Sequence, residues 1–505
     1  MRSFFIWSSL LTLILQTTIL WTLNSFWWTY IFTAPIILLG IYDMYQTKHT
    51  IKATYPLVGR FRYWMEILRP KIYQYFIESN TDGTPISRIE RSVVYQRSKG
   101  ELDSAPFGTQ LDVYEVGYEW MNHSLYPLSL ETIDHNMRVV IGGKDCLHPY
   151  NASILNISAM SFGSLSKHAI RALNLGAKLG GFAHNTGEGG LSPHHLQEGG
   201  DIIWQIGTGY FGCRNAEGRF DAEKFTEKAK IPQVKMIEIK LSQGAKPGHG
   251  GILPAKKNTP EIALIRGVTP YTRVLSPSGH REFHDYHGMI DFIELLRKLS
   301  GGKPIGIKLC IGHHREFKEL CQTMKERNSF PDYIAIDGGE GGTGAAPLEF
   351  TNSVGTPMRE GLAYAHNTLL AKGIRNELKL LASGKILSGF NMARTMALGA
   401  DACYAARGMM LALGCIQALE CNSNNCPAGI ATQNPQLYKG LNINNKGDRI
   451  RNFHRETLIA FAEMLGAAGL KHPSELTRDH IIRRVSNHNT LSYAEIYPLP
   501  DTVNL

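Results

Sequence analysis

From about residue 151 onward, short apolar runs alternate with helix-length amphipathic segments, and no other feature of the chain restricts its fold so tightly. The runs are Ile154–Met160, Gly181–His184, Ile202–Ile206, Met236–Leu241, Val274–Ser276, Ile305–Cys310, Tyr333–Asp337, Leu380–Ser383 and Ala402–Ala405. Between most of them lie segments with apolar residues at helical spacing: His168–Lys178, Met289–Leu299, Glu316–Arg327, Tyr364–Ile374 and Asn391–Leu398. Apolar runs without polar alternation mark strands covered on both faces, as parallel strands are. About eight of them interleaved with helices predict an α/β fold, a (β/α)8 TIM barrel. An open doubly wound sheet is the alternative, because periodicity cannot see closure.

Glycines gather just after the strand ends, which in a barrel is the active face. They fall in Asn185-Thr186-Gly187-Glu188-Gly189-Gly190, in Gln243-Gly244-Ala245-Lys246-Pro247-Gly248, in Asp337-Gly338-Gly339-Glu340-Gly341-Gly342-Thr343-Gly344 and in Ser383-Gly384-Lys385. Backbone N–H groups bared by glycine and followed by helix starts make anion sites, so a phosphate-bearing cofactor is expected. Turn-forming glycine explains any one of these loops; four on one face point to a ligand.

Cys415, Cys421 and Cys426 crowd into a short segment ending Cys426-Pro427-Ala428-Gly429. Thiolates on a tight loop suit an iron–sulfur cluster, and three ligands suggest [3Fe-4S], or [4Fe-4S] with a ligand from elsewhere. Zinc lacks a histidine within the segment, and buried packing is the plain alternative for cysteine. The other five cysteines are scattered and form no disulfide framework, so a reducing compartment is expected.

No charged residue lies between Ser3 and Ile41. Two apolar halves, Phe4 to Trp21 and Phe26 to Tyr42, flank Thr22-Leu23-Asn24-Ser25; each is near the lower limit of about 17 residues for crossing a bilayer. They predict a transmembrane helical hairpin over residues 1–45, contacting membrane lipid. Trp21, Trp27 and Trp28 sit at the turn, whereas Arg2, Lys48, Lys52, Arg60 and Arg62 lie at the other end, which places the barrel on the cytoplasmic side. A cleaved signal peptide competes, but the small-residue cleavage site is unconvincing. Residues 46–150 read as a juxtamembrane lead-in, 151–440 as the barrel with its cysteine loop, and 441–505 as a helical extension packed under the barrel. The net charge of +9 comes with no basic run or finger motif, so nucleic acid is not the expected partner.

The motifs at Ser158-Ala159-Met160-Ser161-Phe162-Gly163-Ser164, at 185–190, at Gln243 through Gly251, at Gly341-Gly342-Thr343-Gly344-Ala345 and at the three cysteines resemble, in order, the FMN-binding synthase domain of glutamate synthase. The resemblance covers roughly residues 150–440, and is to the stand-alone, membrane-tethered members. It implies FMN on the barrel beside a [3Fe-4S] cluster held by Cys415, Cys421 and Cys426. It also implies reduction of the 2-iminoglutarate made from 2-oxoglutarate and ammonia. Carried over by position, Met160, Ser161, Gln243 and Lys308 would contact the flavin ring, with Lys308 beside its anionic reduced form. Ser383, Gly384, Lys385, Arg407 and Gly408 would take the phosphate, near Gly341 and Gly342. Lys246 and Arg266 would bind the keto acid, and Glu188 would orient or protonate the imine nitrogen.

Two departures qualify this. His249 and Ile252 stand where the family has Glu and Gln, which removes a polar substrate contact, and Ser276-Pro277-Ser278-Gly279-His280-Arg281 replaces a Pro-rich run. The resemblance finds no amino-terminal nucleophilic Cys for glutamine hydrolysis and no strand–GxGxxG–helix unit for NAD(P), so ammonia and electrons are expected from outside, the latter from an unidentified donor. His184, His194 and His195 flank the Glu188 loop as candidates for a proton relay; His280, His284 and His287 are a weaker metal set.

Overall fold

The computed structural model describes residues 1–505 except 24–25, 102–103 and 501–505. The chain divides into two compact units, Met1–Arg88 and Ile89–Leu505, so the break falls inside the stretch expected as a lead-in.

In the first unit, helices Arg2–Leu23 and Thr29–Tyr45 pair. A Cβ on Gly40 would lie within 2.1 Å of the Phe5 ring, so glycine is what lets the helices approach. The Thr33 hydroxyl donates to Gln16 at 2.9 Å, and Arg2 Nε donates to Ala53 O at 2.6 Å. Thr22 and Leu23, expected in the turn, end the first helix; Asn24 and Ser25 lie outside the described residues. At 22 residues the first helix is long and apolar enough to cross a bilayer. Buried Asp43 takes a two-pronged Arg60 guanidinium, both bonds at 2.8 Å, which anchors the start of helix Val58–Ile72.

The second unit is built on a closed barrel of eight parallel strands: β1 (Leu155–Ile157), β2 (His184–Asn185), β3 (Ile202–Ile206), β4 (Val234–Lys240), β5 (Ile305–Leu309), β6 (Tyr333–Asp337), β7 (Lys379–Ser383) and β8 (Ala402–Ala405). Register between Ala405 and Ile157 closes it. The barrel and its eight strands are therefore as the sequence predicts, with one exception. The run Val274–Ser276 is not a barrel strand: Val274–Leu275 pairs antiparallel with Ile252–Leu253 in a ribbon outside the wall. Leu275 is 58% exposed, so this run never had the two-sided cover a barrel strand needs. Everything from Leu241 to Pro304 is an excursion between β4 and β5.

Helix Lys167–Gly180 starts at Ser166, whose hydroxyl accepts from Ala169 N, and stops at left-handed Gly181. Helix Ile443–Ala467 lies against it through two small residues: Cβ atoms on Gly176 and Gly447 would meet Ile450 at 2.4 Å and Leu175 at 2.8 Å. The carboxy-terminal extension is thus packed on the barrel's outer helices. It also carries strands: Ile481–Arg484 pairs with Glu119–Met121 and with Thr490–Ser492.

Candidate active site

The barrel interior is polar at its waist. Glu238 of β4 is fully buried and accepts from Asn185 Nδ2 at 2.8 Å, Gln205 Nε2 at 2.7 Å and the Tyr404 hydroxyl at 3.1 Å. Asn185 in turn accepts from Gly187 N at 3.0 Å, and Gly187 takes a φ of +63° that places the Glu188 turn over the strand ends.

Glu188 meets Lys240, the last residue of β4, at 3.0 Å. Burial alone would raise the Glu188 carboxyl, but Lys240, Lys246 and Arg266 outweigh it and hold it at about 2. Lys246 is nearly fully buried, and the loss of water lowers it to about 8 even with Glu188 pulling the other way. Burial brings Arg266 to about 10; its Nη2 donates to Phe162 O at 3.1 Å, and its Nε has no partner among the described residues. Three cations therefore share one carboxylate, a surplus of two positive charges at the mouth of the barrel.

Lys308, on β5, sits 3.6 Å from Asp337 Oδ1 and 3.5 Å from Ser158 Oγ. Gln243 links Lys240 (3.1 Å) to the Gly342 carbonyl (3.1 Å), and Asp337 Oδ2 accepts from Gly244 N at 2.8 Å. Met160 is buried, its carbonyl held by His195 Nε2 at 3.0 Å, and Ser161 stands under Gly189, where a Cβ would come within 2.9 Å of it. Past β7 and β8, Lys385 adopts a φ of +49°, and Lys385 and Arg407 are both lowered, first by burial. A Cβ at Gly384 would lie 2.6 Å from Met358 and one at Gly342 3.0 Å from Arg407, so both loops are closed to side chains. Ser383, Gly384, Lys385, Arg407 and Gly408 thus line adjacent strand ends, with Gly341 and Gly342 on the loop after β6.

The cysteine loop follows helix Arg407–Leu413. Gln417, Leu419 and Asn424 all have positive φ although none is glycine, a density of strain found in no other described loop. The three thiols influence one another: Cys415 is raised to about 11 by burial and then by Cys421 and Cys426. No group of three metal-ligating side chains stands at coordination geometry among the described residues. Beneath the loop, buried Lys257 donates to the carbonyls of Ser164 (2.9 Å), Cys421 (2.7 Å) and Ala431 (2.8 Å).

Comparison with known proteins decides the family. The model described as "Conserved region in glutamate synthase" matches residues 129–471. The chain belongs to the glutamate synthase family. It is 38% identical over 496 residues to the glutamate synthase large subunit-like protein YerD of Bacillus subtilis, covering 90% of this chain and 94% of that one. It is 35% identical over 318 residues to the archaeal glutamate synthase (NADPH) of Methanocaldococcus jannaschii, and 33% identical over 355 residues to the glutamate synthase (NADPH) large chain of B. subtilis. These cover 62% and 66% of this chain, but only 58% and 22% of the relatives. As a glutamate synthase-like protein the chain is an oxidoreductase.

The structure brings Glu188, Lys246 and Arg266 together, sets Lys308 and Gln243 at the ends of the neighbouring strands β5 and β4, and places Met160 past β1 on the opposite side of the barrel mouth. The candidate histidines differ in their surroundings, and His184 has no hydrogen-bond partner on either ring nitrogen among the described residues. His184 and His195 are buried and held neutral by loss of water, His195 to about 4, and His194 faces Glu261 at 2.7 Å. His280 bonds Tyr210 OH (3.0 Å) and Lys240 O (2.9 Å). Lys240, Glu238 and Lys257 were not singled out in the sequence, and Asp337 only as the start of a glycine loop. A lysine closing the apolar strand Val234–Lys240 was a usable signal for Lys240; nothing in Ala255-Lys256-Lys257 marks which lysine is buried.

Proposed function

We propose that this protein is a membrane-anchored, FMN- and iron–sulfur-dependent oxidoreductase that reduces the 2-iminoglutarate formed from 2-oxoglutarate and ammonia to glutamate. Electrons come from a partner, and the barrel lies on the cytoplasmic side. The observation that carries the substrate class is the surplus of two positive charges around Glu188, which matches a dicarboxylate.

The residues present suit FMN. The backbone cradle at Gly342 and Gly384, with the partly buried cations Lys385 and Arg407 beside it, suits a phosphate dianion. Met160, Ser161, Gln243 and Lys308 would line the ring, and the buried Lys308 cation suits an anionic group beside it. Bound FMN supplies hydride chemistry to the substrate and accepts electrons singly. Cys415, Cys421 and Cys426 would hold the cluster, supported by their mutual proximity and by the strained backbone around them.

Lys246 and Arg266 bind and orient the two carboxylates, and their burial excludes water that would hydrolyse an imine. Glu188, ionised between Lys240 and Lys246, accepts a hydrogen bond from the protonated imine nitrogen and so fixes the face that is reduced. Exposed Phe4, Trp7, Leu11 and Ile14 on the first helix, and Phe61, Trp64 and Ile67 on the helix after the hairpin, support the membrane reading.

The test is anaerobic purification in mild detergent, an absorption spectrum, and titration of the reduced protein with 2-oxoglutarate and ammonium. Reoxidation of the flavin that needs both compounds is the expected result; a bound flavin indifferent to both refutes the substrate. Ile252 favours one second reading, the same cofactors acting on a keto acid, hydroxy acid or amine with an apolar side chain. Its residue forms the ribbon beside Gly251, where a Cβ would touch Glu188 at 2.7 Å.

A further inference from the structure

We propose that Arg214 and Arg281 form a second anion-binding pocket at the rim of the barrel, which takes a carboxylate or phosphate group borne by a small molecule. A cavity of about 330 Å³ opens there, lined by Gly209, Phe211, Arg214, Ser276, Pro277 and Arg281. It lies away from the phosphate cradle past β7 and β8 and beside the Glu188 site: Ser276 N, in its lining, donates to Gly251 O at 2.9 Å.

Both guanidiniums lack a counter-charge. Neither makes an ion pair among the described residues, and the buried Arg214 Nε has no hydrogen-bond partner. Their neighbour Arg219, in contrast, already holds Glu282 at 2.8 Å. A buried unpaired donor costs free energy, and two cations facing one cavity cost more; an oxyanion with several lone pairs relieves both. The backbone is shaped for this arginine: a Cβ on Gly218, which has a φ of +77°, would lie 2.2 Å from Arg214 Nη2. The opposite wall is fixed by Thr208 Oγ1, which donates to Pro277 O at 2.6 Å. That wall belongs to Ser276 through Arg281, the loop in which the sequence departs from the family pattern. Mutual crowding is consistent with the same picture: Arg214 is lowered by burial and then by Arg281.

The pocket communicates with the active face through one ring. The Arg214 guanidinium lies 5.6 Å and that of Arg266 5.1 Å from the Phe211 centroid, so an anion drawing Arg214 away removes one of the two cations that share this ring.

Calorimetric titration of the full-length, cofactor-loaded protein in detergent tests this without turnover, using inorganic phosphate and malonate separately at fixed ionic strength, with all variants made in a K246M background so that a dicarboxylate is not held beside Glu188. At least one probe should bind, with affinity reduced about tenfold or more in R281M and in R214M and unchanged in R315Q, an exposed arginine elsewhere. R281M alone decides if R214M does not fold, since Arg281 lies at the open rim. Preference for malonate assigns a carboxylate and preference for phosphate a phosphoryl group. Failure of both probes to bind, or binding that R281M leaves intact, overturns the proposal. Neither result depends on which acid is reduced.

Discussion

Replacing Glu238 by methionine should unfold the barrel several degrees early, whereas glutamine should be nearly silent. The carboxylate receives three donors from three other strands: Asn185, Gln205 and Tyr404. Methionine fills the space but accepts nothing, stranding two amides and a hydroxyl in a dry interior at about 1–3 kcal/mol each before relaxation, or about 4 kcal/mol in all. Glutamine keeps an oxygen for both amides and turns its NH2 to the tyrosine oxygen, so about 1 kcal/mol suffices. The unit Ile89–Leu505 unfolds with an entropy near 0.9 kcal/mol per degree at ~2.1 cal/mol/K per residue, so E238M should melt about 4 °C and E238Q about 1 °C below wild type. Scanning calorimetry at matched rates reads the difference, since a chain of this size need not refold. E238M should also lose activity, because Asn185 holds the turn that carries Glu188. An E238M melt within 1 °C of wild type, or an E238Q drop as large as that of E238M, would refute the acceptor-counting argument.

Lys246 binds an anion only while protonated, so KM for the keto acid should rise as pH passes about 8; K246R should move that limb to higher pH, and an unmoved limb would remove Lys246 from the substrate. Glu188 is held at about 2 against an ordinary 4.5, a depressed carboxylate. Its contribution, roughly 3 kcal/mol at 1.36 kcal/mol per pKa unit, is complete above pH 4.5 and lost as pH falls toward 2. Acid-unfolding curves of E188Q should accordingly be flatter over that window. K257M frees three carbonyls, one of them that of Cys421, and should lower iron bound per chain, measured by metal analysis; full loading would show that Lys257 does not shape the cysteine loop. Deleting Met1–Arg88 should move the protein from the membrane pellet to the supernatant, and retention in the pellet would locate the anchor elsewhere.

Most of the barrel was legible because its strands announce themselves by two-sided burial: Ile202–Ile206, Tyr333–Asp337 and Ala402–Ala405 coincide with their apolar runs residue for residue. Val274–Ser276 misled because a short apolar run looks alike in a buried strand and in an exposed ribbon; only pairing distinguishes them. Glycine-flanked Glu188 and Lys246 stood out in the sequence, since charge inside a glycine loop is rarely a matter of packing. Glu238 did not, because one acid within Val234–Lys240 reads as an interruption of a strand until the donors from three other strands are seen around it. Lys257 was equally silent, its partners being backbone oxygens that carry no sequence signal.

The excursion between β4 and β5 carries Lys246, Ile252, Arg266 and Arg281, while the side chains assigned to the phosphate and to Lys308 stand on or just past the barrel strands. Most of the side chains assigned to the substrate are therefore carried on one stretch of chain, but that stretch also brings Gln243 to the Gly342 loop and Lys257 under the cysteine loop. A lineage that exchanges the segment between two fixed strand ends must keep those two positions if redox competence is not to be traded away with substrate choice.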